Sequence, residues 1–189
     1  MLAVTGFRTT IVRELAKLID CHVARISADL SRLDTEFDIP PAANHFVLAA
    51  GVLWQRQTAE QTAGEIATSL AVNMVNVVRL CESILATKPD ARIVVIGSES
   101  ASKGSFDQTY AVAKAGVHAY CRWRQVLPTQ LLVCLAPPII SDSGMTKKRH
   151  DYPAVLFQRK HVTAAQVAKS VRSLLYDAPA GMHGVANLC

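Results

Sequence analysis

The sequence predicts an α/β protein whose central sheet is parallel, doubly wound and covered by helices on both faces. Two observations carry this prediction. Short apolar runs, typical of buried strands, alternate with longer segments in which apolar residues recur every three or four positions. Continuous apolar strands that are each followed by a helix indicate a parallel sheet, and right-handed crossovers then place helices on both of its faces.

The apolar runs and the helical spacing give the predicted elements in order. Strands are predicted at residues 2–5, 22–26, 45–48, 92–96, 131–135 and 184–188. Helices are predicted at residues 10–19, 63–87, 110–127 and 164–176. Residues 35–43 and 141–153 lack periodicity and are predicted loops. The second loop is polar, basic and long, which is typical of a lid over a functional site.

Composition favours one domain over residues 1–189, because half of the chain is hydrophobic and its mean hydropathy is +0.21. No apolar run approaches the roughly 20 residues that span a bilayer. Because the N-terminus also lacks the basic region of a signal peptide, we expect a cytoplasmic protein without a membrane partner. The five cysteines stand singly, which indicates reduced thiols.

The charge pattern argues against a nucleic-acid partner. The net charge is +5, but the basic residues are dispersed, and the one dense run is at residues 147–150. An excess of positive charge also suits a cofactor that carries several phosphates. The six histidines show no metal-binding spacing, so we expect no metal site.

Tyr110 and Lys114 are the strongest candidates for chemistry. Positions i and i+4 of a helix share a face, so a phenol and an ammonium can point into one cleft. A nearby cation favours the phenolate, and a tyrosine tuned in this way can exchange a proton with a carbonyl oxygen. Ser98, at the end of a predicted strand, could hold that oxygen. For each residue alone, a surface or turn position is the alternative.

Several short motifs, taken together, resemble the short-chain dehydrogenase/reductase family over nearly the whole chain. The motifs are residues 4–6, 48–51, 72–74, 93–98, 110–117 and 136–140, and their order and spacing agree with those of the family. The resemblance implies a Rossmann-like sheet that binds NAD(P)(H). It also implies a small carbonyl or alcohol substrate and assembly as a homodimer or homotetramer.

The resemblance implies roles for four catalytic residues. Tyr110 would be the general acid/base, Lys114 would lower its pKa and bind the nicotinamide ribose, and Ser98 would orient the substrate oxygen. Asn73 would hold a water that links Lys114 to solvent; alternatively, its amide bonds a neighbouring backbone. The implied cofactor-binding residues are Gly6, Arg8, Thr9, Thr10, Ile11, Arg25, Asp29, Leu30, Ala49, Ala50, Gly51, Tyr110, Lys114, Pro137 and Ile140.

The glycine-rich loop departs from the family pattern, because Thr10 and Val12 occupy two glycine positions. Either the Thr9 or Thr10 hydroxyl still binds phosphate, or cofactor affinity is reduced or lost. The chain between Gly6 and Leu48 is also roughly 30 residues shorter than in the family, about one strand–helix unit. No acidic residue clearly stands at the tip of the second strand to bind a ribose diol, and Arg25 lies nearby, so NADP(H) is expected rather than NAD(H). The alternative is a solvent-exposed arginine at a strand end.

Two functions remain open at this point. The first is an NAD(P)(H)-dependent oxidoreductase that interconverts a carbonyl and a hydroxyl group. The second is a non-catalytic dinucleotide-binding or regulatory protein on the same fold, because fold alone does not establish activity. The charges of Lys147, Lys148 and Arg149 favour an acidic substrate group or a solvated loop equally.

Overall fold

A computed structural model describes residues 1–188 of the protein. In chain order the strands are β1 (Leu2–Thr5), β2 (Val23–Arg25), β3 (His45–Leu48), β4 (Arg92–Ile96), β5 (Leu131–Ala136), β6 (Ile139–Ile140), β7 (His161–Val162) and β8 (His183–Asn187). The helices are α1 (Thr10–Ala16), α2 (Ala63–Leu70), α3 (Asn76–Thr87), α4 (Ser100–Lys103), α5 (Gln108–Trp123), α6 (Gly144–Lys147), α7 (Ala154–Gln158) and α8 (Ala164–Tyr176).

The main sheet is parallel throughout, with strand order β2-β1-β3-β4-β5-β8. Helices α1 and α8 pack on one face, where Val12 and Val171 join the core. Helices α3 and α5 pack on the other face, through residues such as Leu80 and Val117. The predicted doubly wound α/β fold is therefore confirmed.

The shortened region forms one edge of this sheet. Between β1 and β3 the chain makes α1 and the single strand β2, which pairs only with β1 among the described residues. Residues 27–44 then return to β3, with one antiparallel bridge between Ser27 and Asp38. The edge of the sheet beside β2 is therefore built from fewer elements than the family pattern implies.

Several predicted boundaries need correction. The helix predicted at 110–127 begins at Gln108, because the Asp107 side chain caps it, and ends at Trp123. The first helix stops at Ala16 rather than at residue 19. The 141–153 segment, predicted as a loop, contains the short helix α6, whose N-terminus is capped by the Ser143 hydroxyl.

The helical stretch Ala63–Thr87 also corrects an expectation. Its 25 residues are long and apolar enough to cross a membrane by length and composition alone. In the structure, however, its second half packs against the sheet through Leu80, Cys81 and Ile84, all buried. A buried core helix passes the same test of length and composition, so the test alone does not identify a membrane-spanning helix.

Arg92 joins the sheet to the C-terminus of α8. Its guanidinium donates hydrogen bonds to the carbonyl oxygens of Leu174, Leu175 and Ala178. These carbonyls have no partner within the helix, and a cation is favourable at a helix C-terminus. Arg92 therefore fixes α8 against the central strand β4.

We predict that Arg92→Met lowers the free energy of unfolding by about 2 kcal/mol, because three carbonyls lose a charged donor. Urea unfolding at pH 7 measures the change. Arg122→Met is the matched control, because Arg122 is an exposed residue of α5, and it should alter stability by less than about 0.5 kcal/mol. Equal losses in the two variants would contradict the role of Arg92.

Candidate active site

A long cleft runs along the carboxyl ends of the parallel strands. It consists of two cavities of about 550 Å³ each, which share Gly6, Arg8, Thr9 and Gly51. The active-site cavity is the one that contains Tyr110, and the edge cavity is the one beside β2. In a doubly wound sheet, ligands bind at this edge.

Nearly all of the predicted site residues line this cleft. Those in the active-site cavity are Gly6, Arg8, Thr9, Thr10, Ile11, Ala49, Gly51, Ser98, Tyr110, Lys114, Pro137 and Ile140. Those in the edge cavity are Gly6, Arg8, Thr9, Arg25, Asp29, Leu30, Ala50 and Gly51. Asn73 lines neither cavity. The fold thus brings together residues that are up to 134 positions apart in the sequence.

Tyr110 and Lys114 lie one turn apart on α5 and are almost fully buried, at 9% and 4% exposure. The Lys114 ammonium donates to the carbonyl oxygen of Ile96 at 2.8 Å and lies 5.6 Å from the centroid of the Tyr110 ring. Burial lowers the pKa of Lys114 to about 8. The end of β4 therefore holds a cation that can lose its proton near neutral pH.

The pKa of Tyr110 moves in the direction opposite to the prediction. Burial raises it to about 12, and the nearby Ser98 hydroxyl opposes only part of this rise. The Lys114 ammonium, 5.6 Å from the centroid of the ring, does not offset this rise. The phenol therefore carries its proton at neutral pH, so it is ready to act as a proton donor.

Asp107 is a buried carboxylate that the sequence interpretation missed. It has no exposed surface and caps α5 by accepting from the Tyr110 backbone N–H. It also accepts from the Trp54 backbone N–H and from the Gln61 amide, at 3.0 Å each. One side chain thus ties the helix that carries Tyr110 to the segment after β3.

The Asn73 amide bonds a backbone segment, which was the alternative to its predicted role of holding a water. Its amide is fully buried and forms hydrogen bonds in both directions with the backbone of Val52, as well as donating to the Ser69 hydroxyl. It sits in a π-helical turn, Ala71–Val75, a feature often found at functional sites. The hydrogen-bonding groups of the side chain are therefore used to hold the chain beside Gly51.

Three residues show how the altered glycine loop is built. Gly6 keeps a positive φ of 67°, and a Cβ there would lie 2.7 Å from the backbone of Ala49 and Ala50. Val12 is 3% exposed and packs into the core, so its side chain points away from the cleft. Thr9 caps α1 by accepting from the Val12 backbone N–H, which leaves its hydroxyl proton available.

The edge cavity is rich in cations. Arg8 and Arg25 both line it, and its one carboxylate is that of Asp29. The hydroxyl and backbone N–H of Ser31 bind that carboxylate and lower its pKa below the usual range. Asp29 lies four residues beyond Arg25, the last residue of β2. The arrangement therefore favours a ligand with negative charge at this end of the cleft.

The 141–153 segment forms a wall of the active-site cavity. Met145 and Thr146, which were not predicted as site residues, line it, and Asp142 accepts from the Ala164 backbone N–H at the start of α8. Arg149, noted from the sequence only as a charge, also lines the cavity. The sequence signals for this wall were the polarity, basic charge and length of the segment.

Comparison with known proteins identifies the family. Residues 24–153, more than half of the chain, match the sequence profile of the short chain dehydrogenases. The match begins after the altered glycine loop. The chain therefore belongs to the short-chain dehydrogenase family, as the motifs had predicted, and this membership supports an oxidoreductase that uses NAD(P)(H). None of the curated protein sequences is significantly similar to this chain.

Solved structures superpose over almost the full chain at low sequence identity. A short chain dehydrogenase family protein from Francisella tularensis has a TM-score of 0.78 and 16% identity, covering 99% of this chain and 96% of its own. The 3-ketoacyl-(acyl-carrier-protein) reductase from Brucella melitensis, complexed with NADH, has a TM-score of 0.78 and 13% identity, covering 99% and 95%. An ElxO variant with NADPH bound has a TM-score of 0.74 and 14% identity, covering 98% and 95%. These similarities show the shared fold.

We predict that Lys114 makes stability depend on pH. Its pKa falls from 10.5 to about 8 on folding, so between these values the unfolded chain binds more protons than the folded chain. The free energy of unfolding should therefore rise with pH in this window, by up to about 3 kcal/mol for a fully realised shift.

Urea unfolding of the parent protein and Lys114→Met between pH 7 and 10 measures this effect. The parent should gain stability relative to the variant as the pH rises. Lys147→Met, at an exposed residue of α6, should follow the parent. A stability difference between the parent and Lys114→Met that stays constant over this range would contradict the buried-cation assignment.

Proposed function

We propose that the protein is an NADP(H)-dependent oxidoreductase that interconverts a carbonyl and a hydroxyl group. The observation that carries the proposal is that Ser98, Tyr110 and Lys114 line one cavity, together with Pro137 and Ile140. A proton donor, a second hydroxyl and a buried cation around one small space are the groups that reduction of a carbonyl requires.

The residues of the cavity act on the substrate oxygen. A nicotinamide cofactor held beside Tyr110 and Lys114 would supply or accept hydride. The Ser98 hydroxyl and the Tyr110 phenol bind the carbonyl oxygen, and Tyr110, which is protonated at neutral pH, donates its proton as the oxygen becomes an alkoxide. The Lys114 ammonium, 5.6 Å from the centroid of the Tyr110 ring, then stabilises the phenolate. In the direction of alcohol oxidation, the same phenolate accepts the proton.

The cleft fits a dinucleotide, because its two cavities meet at the shared residues Gly6, Arg8, Thr9 and Gly51. Gly6 allows close approach of the backbone, and Arg8 with the Thr9 and Thr10 hydroxyls would bind phosphate oxygens. Residues 49–51 would contact the ribose through their backbone. The resemblance assigns the nicotinamide side to Tyr110, Lys114, Pro137 and Ile140.

The preference for NADP(H) rests on the edge cavity. An acidic residue after the second strand binds a ribose diol, whereas an arginine accommodates a 2′-phosphate. Here Arg25 ends β2 and Arg8 faces the same space, while the nearby Asp29 is already bound by Ser31. The charge balance of the cavity therefore supports the phosphorylated cofactor.

Two further proposals concern the setting of the enzyme. We propose a cytoplasmic location. We also propose assembly as a homodimer or homotetramer, supported by the exposed apolar residues Val112 and Trp123 on α5, at 61% and 75% exposure.

The second candidate function is a non-catalytic dinucleotide-binding protein. The observation in its favour is that Thr10 puts a side chain into the active-site cavity at a position where the family resemblance places a glycine. The cofactor and turnover measurements that follow separate the two functions.

We predict that the protein binds NADPH at least 10-fold more tightly than NADH, because Arg8 and Arg25 can pair with the 2′-phosphate. Titration followed by cofactor fluorescence measures both affinities. Arg25→Glu should abolish most of the difference by weakening NADPH binding, whereas Arg122→Glu, outside the cleft, should leave both affinities unchanged. Failure of both cofactors to bind at millimolar concentration would rule out the enzyme.

We predict that Tyr110→Phe lowers kcat at least 100-fold in a screen of aldehydes and ketones with NADPH, because the proton donor is lost. NADPH affinity and urea unfolding should change little. Tyr120→Phe is the matched control, because Tyr120 lies on the same helix and its hydroxyl bonds Glu82. Equal turnover by the parent and Tyr110→Phe would remove Tyr110 from the mechanism.

A further inference from the structure

The charges that line the active-site cavity are unbalanced. Its cationic side chains, besides Lys114, are Arg8, Arg13, Lys147 and Arg149, and its carboxylates are Glu99 and Asp142. Both carboxylates have partners. Glu99 forms an ion pair with Lys103 at 2.7 Å, and Asp142 accepts from the Ala164 backbone N–H at 2.7 Å. The cavity therefore carries excess positive charge.

The cations fall into two groups by position in the chain. Arg8 and Arg13 belong to the loop and helix after β1, on the side that would hold the phosphates of the cofactor. Lys147 and Arg149 belong to the 141–153 segment and line the same cavity as Ser98 and Tyr110. The second group is therefore available to a substrate.

Arg149 is held rigidly for such a role. Its guanidinium stacks 4.7 Å from the centroid of the Phe106 ring and donates two hydrogen bonds of 2.7 Å to the Asp151 carboxylate. Only 16% of its side chain is exposed. Two of its five N–H groups are used in this way, and among the described residues no other acceptor binds the remaining three.

The position of Phe106 connects Arg149 to the reacting centre. Phe106 directly precedes Asp107, the cap of the helix that carries Tyr110. The same ring also contacts the edge of His150, with centroids 4.9 Å apart. The guanidinium is therefore anchored to the start of α5 while it lines the cavity that contains the phenol.

We propose that the substrate carries an anionic oxygen group, a carboxylate or a phosphate, which Arg149 binds through its free N–H groups with Lys147 adding charge. This inference rests on the proposed function and assigns its substrate class. A planar guanidinium matches the two oxygens of such a group, and partial burial limits screening by solvent and salt. Arg149 is thus a specificity-determining residue for the reaction at Tyr110.

The test compares charged and neutral forms of one carbonyl compound. With saturating NADPH, turnover is measured for a 2-oxo acid against its methyl ester, and for dihydroxyacetone phosphate against dihydroxyacetone. Binding of all four probes is measured by calorimetry, with and without NADPH. At least one charged form should exceed its neutral partner by 10-fold or more in kcat/KM or affinity. The pair that shows the preference distinguishes carboxylate from phosphate.

Variants assign the preference to Arg149. Arg149→Gln should reduce the charged-to-neutral ratio of kcat/KM at least 10-fold. The double variant with Arg149→Gln and Asp151→Asn should show the same reduced ratio as Arg149→Gln alone. That result would exclude repulsion of the substrate by an unpaired Asp151 as the cause. Arg149→Lys should restore part of the preference. Lys148→Gln, at an exposed neighbour outside the cavity, is the control and should match the parent.

Two kinds of failure are distinguishable. If NADPH binds but charged and neutral probes are equivalent in both turnover and binding, the anion site is wrong and the oxidoreductase proposal stands. Recovery of the preference in the double variant would also overturn the assignment to Arg149. If no cofactor binds, the proposed function fails, and calorimetry on the free protein still decides whether Arg149 binds the charged probes.

Discussion

Backbone hydrogen bonds hold Thr5, Leu48, Val95 and Cys134 side by side across four adjacent parallel strands. Parallel strands in this register all end at the same line, so the loops that follow them leave the sheet at one edge. These loops supply the glycine loop, the 49–51 backbone, Ser98 and the 137–140 wall. The register of the sheet therefore determines which residues can meet in the cleft. The long helices contribute further side chains, such as Tyr110 and Lys114, to the same edge of the sheet.

Main-chain partners stabilise the polar groups buried under the cleft. Lys114 donates to the carbonyl of Ile96, and Asp107 accepts from the backbone N–H of Trp54. A buried polar group without a partner is costly, so each of these bonds constrains the position of its side chain. Because the partners are backbone atoms, the arrangement depends on the fold rather than on the side chains of the surrounding loops. The loops can then diverge while the proton-transfer geometry is kept.

The sequence predicted most of the sheet, because strands buried on both faces read as continuous apolar runs; β4 and β5 are examples. It also located Tyr110 and Lys114, whose spacing on a helix is local. It did not predict Asp107, because two of its partners lie 46 and 53 residues away. Nor could it give the direction of the pKa of Tyr110, since burial is a property of the tertiary structure.

Packing within the protein explains why one glycine, Gly6, remains in the first loop. A Cβ at Gly6 would lie 2.7 Å from the backbone of Ala49, so the junction of β1 and β3 requires glycine there whether or not a cofactor binds. At Thr10 and Val12 the protein imposes no such limit, and Val12 even contributes to the core. Retention of Gly6 is therefore weak support for dinucleotide binding. The stronger support is Arg8 and Arg25, because both line one cavity and neither side chain forms an ion pair or a hydrogen bond within residues 1–188.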